Sequence, residues 1–264
     1  MNKIIFFDID GTLLDVSRKM LEPHPSTFKA LQKCRENNIK LFIATSRGVL
    51  PEPLKKFKFD GYIFCDGHKV IIDDEVIIHD KFSYDDLRLL SESFEKNDGA
   101  YYWYGEGKYF NKYNHSSLMQ YHSTLYLGKK IMDFAIKEYD LKDVSGESCC
   151  AMFESVEKLE NTLSLIEGKF AIHPYRTGCI RMDVYPLGYD KGGACKYVYE
   201  KLGYKKEDTI AFGDGLNDIE MFKNVGLSIA LENACDELKK HASFISKDVE
   251  DNPIEYALKQ YGLI

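Results

Sequence analysis

Two aspartates stand two residues apart, Asp8 and Asp10, directly after an apolar run and just before Gly11 and Thr12, in the segment DIDGT. Side chains alternate along a strand, so both carboxylates would point the same way, with about 6–7 Å of rise between them. Two acids at that spacing can act on one phosphoryl group, one attacking and the other handling the leaving-group proton. Gly11 lets the chain turn sharply after the strand. An EF-hand calcium loop needs a helix before it and a third ligand ahead of the glycine, and both are missing here. Asp-Gly also marks ordinary turns, and that reading stays open for the segment taken alone. A merely solvated acidic pair fits poorly with the apolar residues on either side.

A second segment, GDGLND at 213–218, also falls where a strand gives way to a helix. It carries Asp214 and Asp218, with Asn217 between them. It fails as a dinucleotide fingerprint, because the last glycine is missing and Asp214 would repel a pyrophosphate. Oxygen ligands at the ends of two parallel strands suit Mg²⁺, which takes one or two carboxylates plus water and substrate phosphate. Thr45-Ser46 closes another strand with hydroxyl and N–H donors that can hold phosphoryl oxygens, although such a pair often only caps a helix. Lys191 opens a helix beside Gly192-Gly193, where anions bind; lysines are otherwise mostly surface residues.

These groups need strands and helices to bring them together. Lys3–Ile9, Lys40–Ala44 and Tyr62–Cys65 read as buried strands, separated by a helix over Pro25–Asn37 and a short Pro-interrupted helix. Val70–Ile72 and Val76–Ile78 flank Asp73-Asp74-Glu75 as a hairpin. Helices are expected at Lys191–Leu202, Ile219–Lys223, Cys235–His241 and Pro253–Tyr261, and strands at Thr209–Phe212, Leu227–Ala230 and Phe244-Ile245. That alternation predicts a parallel α/β sheet. Between the two halves lie helices at Tyr84–Lys96 and around Val156–Ile166. They alternate with strand-like AYYWY, KYF, CCAMF, Phe170–Pro174 and Cys179–Tyr185. This reads as an α+β insertion over about 83–187 in a discontinuous core of 1–82 and 188–264. The aromatics Tyr101, Tyr102, Trp103 and Tyr104 read as sheet and core residues, with a substrate-lining role as the alternative.

A chain of 264 residues can bury a full core without disulfide staples. Its 44% hydrophobic and 29% charged residues are ordinary for a globular protein. A net charge of −7 gives no support for a nucleic-acid partner. The seven cysteines include no CxxC and sit mostly in apolar runs, so reduced thiols in a cytoplasmic protein are expected. The opening apolar run is too short for a signal peptide, and no stretch approaches the ~20 apolar residues of a transmembrane helix. A monomer or weak homo-oligomer is expected, with no membrane partner.

The order Asp8/Asp10, Thr45, Lys191, Asp214/Asp218 resembles the haloacid dehalogenase (HAD) superfamily. GDGLNDIEM and the insertion after the third strand resemble its Cof-type, class IIB phosphatases. The resemblance implies a Rossmann-like HAD core with an inserted C2B-type cap, acting on a small phosphorylated metabolite. It implies Asp8 as nucleophile, through an aspartyl phosphate, and Asp10 as general acid/base. It implies Mg²⁺ held by Asp8, the Asp10 carbonyl and Asp214, with Asp218 as a more distant partner. Thr45, Ser46 and Lys191 would hold phosphoryl oxygens, Asn217 would contact phosphate or orient that shell, and the lid would choose the substrate. Arg47 and His68 lie near the inferred site; His173, Arg176 and Arg181 in the insertion could bind a substrate's polar groups but read better as solvated strand residues. Thr-Gly-Arg and Asn-Gly are the family's usual pairings at two places where this chain has Thr45-Ser46-Arg47 and Asp66-Gly67. Ser46 adds a side chain where backbone approaches phosphate, and Asp66 adds negative charge near the site entrance. A phosphotransferase or phosphomutase would share every core motif. A non-catalytic phospholigand-binding or Mg²⁺-binding protein would lack a catalytic group, and none is missing.

Overall fold

The computed structural model describes residues 2–111, 117, 135, 136 and 138–264. In chain order the elements are β1 (Lys3–Phe7), α1 (Thr27–Glu36), β2 (Ile39–Ala44), β3 (Gly61–Phe64), β4 (Lys69–Ile72), β5 (Glu75–His79) and α2 (Tyr84–Lys96). There follow β6 (Ala100–Gly105), β7 (Lys108–Asn111), β8 (Ser148–Met152), α3 (Val156–Ile166), β9 (Ala171–Tyr175) and β10 (Arg181–Tyr185). The chain closes with α4 (Lys191–Lys201), β11 (Thr209–Gly213), α5 (Ile219–Asn224), β12 (Leu227–Ala230), α6 (Asp236–Lys239), β13 (Phe244–Ile245) and α7 (Pro253–Gln260). It divides into two compact units, Met1–Ile78 with Tyr189–Ile264, and His79–Gly188.

The first unit is built on an eight-stranded sheet in the order β13-β12-β11-β1-β2-β3-β4-β5. From β13 to β3 every pairing is parallel, and β4 then runs antiparallel to β3. Alternation along β1 sends Ile5 and Phe7 to one face and Ile4 and Phe6 to the other. The first pair packs with Ala30, Leu31 and Cys34 of α1 and with Ile254, Ala257 and Leu258 of α7. The second pair packs with Ala194, Cys195 and Val198 of α4 and with Met221 and Phe222 of α5. Helices therefore cover both faces, which is why the central strands are apolar throughout rather than alternating. Each buried Ile, Leu or Phe side chain contributes about 1.5–3 kcal/mol. In register, Phe7 lies beside both Ile43 and Phe212, so β1, β2 and β11 end side by side. Asp8, Thr45 and Asp214, each at the residue after one of those strands, are thereby brought to one edge of the sheet.

The second unit is a five-stranded antiparallel sheet in the order β7-β6-β8-β10-β9. Tyr101, Trp103, Cys149, Ala151, Met182 and Val184 pack with Leu87, Leu90 and Phe94 of α2 and Leu159 of α3. Tyr104 is buried as well. Arg181, read from sequence as a solvated strand residue, is also buried, with its guanidinium 3.7 Å from the centre of the Tyr175 ring. Arg176 is exposed and pairs with Glu160 at 2.6 Å, and His173 stands edge-on to Tyr185.

α2 begins with a reciprocal cap. Ser83 Oγ accepts from the Asp86 N–H at 3.2 Å, and Asp86 Oδ2 accepts from the Ser83 N–H at 2.9 Å. Ser83→Ala is expected to destabilise this unit by about 1 kcal/mol. Trp103, the chain's single tryptophan, is fully buried in this unit. Its fluorescence during urea unfolding therefore reports the unit by itself, and an unchanged midpoint would show that the cap contributes nothing.

Candidate active site

Asp8 follows β1 directly, and its N–H donates to the Phe212 carbonyl at 3.0 Å, extending the β1–β11 ladder by one bond. The chain then leaves the sheet. The Ile9 carbonyl accepts from the N–H groups of Thr12, Leu13 and Leu14 at 3.2, 2.9 and 2.9 Å. This turn breaks the alternation expected for a strand running to Ile9. Asp8 is buried at 5% exposure, while the Asp10 carboxylate is 39% exposed and goes to Arg47. Gly11 has φ +89, and a Cβ at that position would overlap the Asp214 carboxylate. Only glycine lets the two loops approach this closely.

Thr12 Oγ1 donates to Asp214 Oδ1 at 3.1 Å. Asn233 Nδ2 donates to the Gly11 carbonyl at 2.8 Å, and Asn233 Oδ1 accepts from the Val249 N–H at 2.9 Å. Neither Thr12 nor Asn233 was assigned a role from sequence. Thr12 sat inside the DIDGT segment, where its position was a usable signal; Asn233 lies in no motif.

Asp218 Oδ2 accepts from the N–H groups of Asp214 and Gly215 at 2.9 and 3.0 Å, so the acid shapes its own loop. Its other oxygen accepts from Lys191 Nζ at 2.7 Å, and Lys191 also donates to Asp8 Oδ1 at 2.8 Å. Lys191 is the first residue of α4, behind the Asp190 cap, whose Oδ1 accepts from the Gly193 N–H at 2.6 Å. A Cβ on Gly192 would overlap the Glu220 carbonyl, so α4 lies backbone-close to α5 and carries Lys191 inward.

Carboxylate oxygens of Asp8, Asp214 and Asp218 lie within 4.8 Å of one another. Burial, with Asp218 and Asp10 adding to it and Lys191 opposing, pushes the Asp8 carboxyl up to about 8. Burial, with Asp8 and Asp218, likewise raises Asp214 well above the usual carboxylate range. Burial pulls Lys191 down, but Asp218, Asp8 and Asp66 outweigh it and hold its ammonium well above the ordinary lysine value. Crowded acids facing one lysine, all with oxygen donors, fit a hard divalent cation.

The remaining expected site residues form a second layer. Arg47 Nε and Nη2 donate to Asp10 Oδ2 and Oδ1, both at 2.6 Å, a bidentate pair. Thr45 is fully buried at the end of β2, and its Oγ1 accepts from the Arg47 N–H at 3.2 Å; Ser46 follows, half-buried. Asn217 Nδ2 donates to Asp66 Oδ1 at 3.1 Å. His68 is buried nearby in sequence, with its N–H on the Cys65 carbonyl. The structure thus gathers Asp8, Lys191, Asp214 and Asp218 directly, pairs Asp10 with Arg47, and pairs Asn217 with Asp66.

The family model described as haloacid dehalogenase-like hydrolase matches residues 5–258. A protein provisionally named phosphatase YkrA, from Bacillus subtilis (strain 168), is 29% identical over 280 residues, covering 100% of this chain and 99% of its own length. HMP-PP phosphatase of Escherichia coli O6:H1 is 27% identical over 244 residues, covering 90% and 87%. A solved structure from Bacteroides thetaiotaomicron, among phosphatases of the haloalkanoate (HAD) enzyme superfamily, superposes with a TM-score of 0.86. It covers 99% of this chain and 96% of its own at 23% identity, a likeness of fold.

Removing the central ammonium leaves buried acids unpaired. Lys191→Met is expected to destabilise the protein by about 3–5 kcal/mol. A divalent cation should raise the melting temperature of the variant more than that of the wild type, since the acids then lack their ammonium partner. Equal cation shifts in the two proteins, read by differential scanning calorimetry, would exclude this account of the cluster.

Proposed function

Since the chain belongs to the haloacid dehalogenase-like hydrolase family, we propose that it is a Mg²⁺-dependent phosphatase of small phosphomonoesters, sugar phosphates or related metabolites. The observation that carries the reading is the Asp8 carboxylate, buried at the end of β1 with the Lys191 ammonium at 2.8 Å and two further acids close by. The phosphatase names of the full-length relatives support it. In this reading the Met1–Ile78/Tyr189–Ile264 unit is the catalytic core and His79–Gly188 the inserted cap. The cysteines are all free thiols, which supports a reducing compartment such as the cytoplasm. Among the described residues no helix is long and apolar enough to cross a membrane.

The chemistry divides into two displacements. An Asp8 oxygen attacks phosphorus in line, the ester P–O bond breaks, and Asp10 gives its proton to the departing oxygen. Asp8 now carries the phosphoryl group as a mixed anhydride. Asp10, left as carboxylate, takes a proton from water while the water oxygen attacks phosphorus. The bond to Asp8 breaks, inorganic phosphate leaves, and both acids return to their starting states. Lys191, Thr45, Ser46, Arg47 and Asn217 hold the phosphoryl oxygens. Asp8, the Asp10 carbonyl and Asp214 would hold Mg²⁺, which supplies neutralising charge between an anionic nucleophile and an anionic substrate. Asp218 commits both oxygens to Lys191 and its own loop, which suits an orienting role beside the ion. Arg47 holds both Asp10 oxygens as a carboxylate, the form that takes a proton from water, so one of these bonds must open before Asp10 carries the proton it gives to the leaving oxygen.

Hydrolysis of p-nitrophenyl phosphate should require Mg²⁺, stop with EDTA, and fall about 10⁴-fold or more in Asp8→Asn. Activity that survives EDTA overturns the metal requirement, and activity that survives Asp8→Asn overturns the nucleophile assignment. Asp10→Asn should lose about 10²–10⁴-fold, and more on an alkyl phosphate than on p-nitrophenyl phosphate. The nitrophenolate leaves without help, so equal losses on both substrates would remove Asp10 from the proton-transfer role.

A further inference from the structure

Asp66 is the acid that the two displacements leave unused, and its surroundings are unusually determined. Its side chain is buried. One atom, Oδ1, lies 3.1 Å from Asn217 Nδ2 and 3.6 Å from Lys191 Nζ. An ammonium has three donors. Lys191 spends two on Asp8 and Asp218, and the Asp66 distance is too long for a good third bond. Asp66 Oδ1 therefore faces two groups that the reading above assigns to phosphoryl oxygens, as a negative oxygen near both.

The backbone holds it there against its own preference. Cys65 and Asp66 are consecutive non-glycine residues in the left-handed region, with φ +51 and +49. Such conformations persist only where neighbours over-determine them. Here the Cys65 N–H donates to the Arg47 carbonyl and the Asp66 N–H to the Thr45 carbonyl, both at 3.0 Å. On the other side a Cβ on Gly67 would overlap the Asp190 carbonyl, immediately before Lys191. The loop is wedged between the Thr45–Arg47 segment and the start of α4, and the wedge aims Asp66.

We propose that Asp66 is a positioning residue that sets how tightly the site holds the phosphate dianion. Its carboxylate fixes Asn217 and draws on the Lys191 charge, and its own charge opposes the second negative charge of the anion. The result is a site that grips a transferring phosphoryl group through several donors yet releases inorganic phosphate readily. This rests on the phosphatase reading, but the test does not depend on turnover.

The test is calorimetric titration of inorganic phosphate, with Mg²⁺ present, into the wild type and Asp66→Asn. Asparagine keeps an oxygen toward Asn217, tolerates the left-handed backbone, and lacks the charge. The variant is expected to bind phosphate about tenfold more tightly, the scale of one unit charge removed from a partly screened site. Where turnover is measured, phosphate inhibition should tighten by the same factor, with KM falling more than kcat. A purely structural Asp66 would lower the melting temperature and weaken or leave unchanged phosphate binding, and that result overturns the proposal. Asp66→Gly, which relieves the backbone as well as removing the charge, serves if the asparagine variant does not fold, with the same expected direction. Phosphate binding by neither protein overturns the proposal together with the reading beneath it. Wild-type binding without hydrolysis of any phosphomonoester sinks the reading alone.

Discussion

The Lys191 ammonium is 1% exposed and lies between Asp8, Asp218 and Asp66, acids contributed by three separate segments of the chain. A charge taken this far from water costs several kcal/mol, which only close, well-placed counter-charges offset. The geometry around it follows from that requirement. α4 must start where it does, with Asp190 capping it, so that its first residue points inward. Gly192 must lack a side chain, because α4 reaches the depth of the acids only by lying against the Glu220 carbonyl. Asp218 must curl back over its own loop to offer one oxygen to Lys191 while the other holds two N–H groups.

The parallel sheet makes this assembly possible. Strands β1, β2 and β11 run the same way in register, so residues remote in sequence end at one edge with their backbones already hydrogen-bonded. Apolar packing on both faces carries the stability. The edge can then hold repelling acids and left-handed residues without unfolding the scaffold, the usual distribution of strain in a protein that does chemistry. An antiparallel sheet such as the one in the His79–Gly188 unit interleaves its strand ends and offers no such convergence.

Much of this was legible beforehand, because periodicity and breakers are local signals. α2 and β12 fall on Tyr84–Lys96 and Leu227–Ala230 to the residue, and most other elements differ by one or two positions. The early end of β1 was not legible. Ile9 looks like a strand residue by composition, and only the three N–H groups converging on its carbonyl turn the chain. That turn sends Asp8 and Asp10 to different environments, which strand alternation could not show. Arg47 on Asp10, and Arg181 against Tyr175, are long-range pairings of flexible side chains, and sequence spacing carries no information about them. Asp66 was visible as an added charge, but its burial against Asn217 and Lys191 depends on two left-handed residues that nothing in Cys65-Asp66 announces.

The balance of charge explains why the cluster is arranged as it is. Four buried or half-buried acids, Asp8, Asp66, Asp214 and Asp218, face one lysine, and Arg47 pairs with Asp10. Left so, the carboxyls of Asp8 and Asp214 are pushed upward, toward taking up protons. A divalent cation held among these oxygens would oppose that push and favour the carboxylates. The excess of acids suits a hard divalent cation, while Lys191, Thr12 and Asn233 tie the loops together. The destabilisation is confined to one edge of a sheet whose core can carry it.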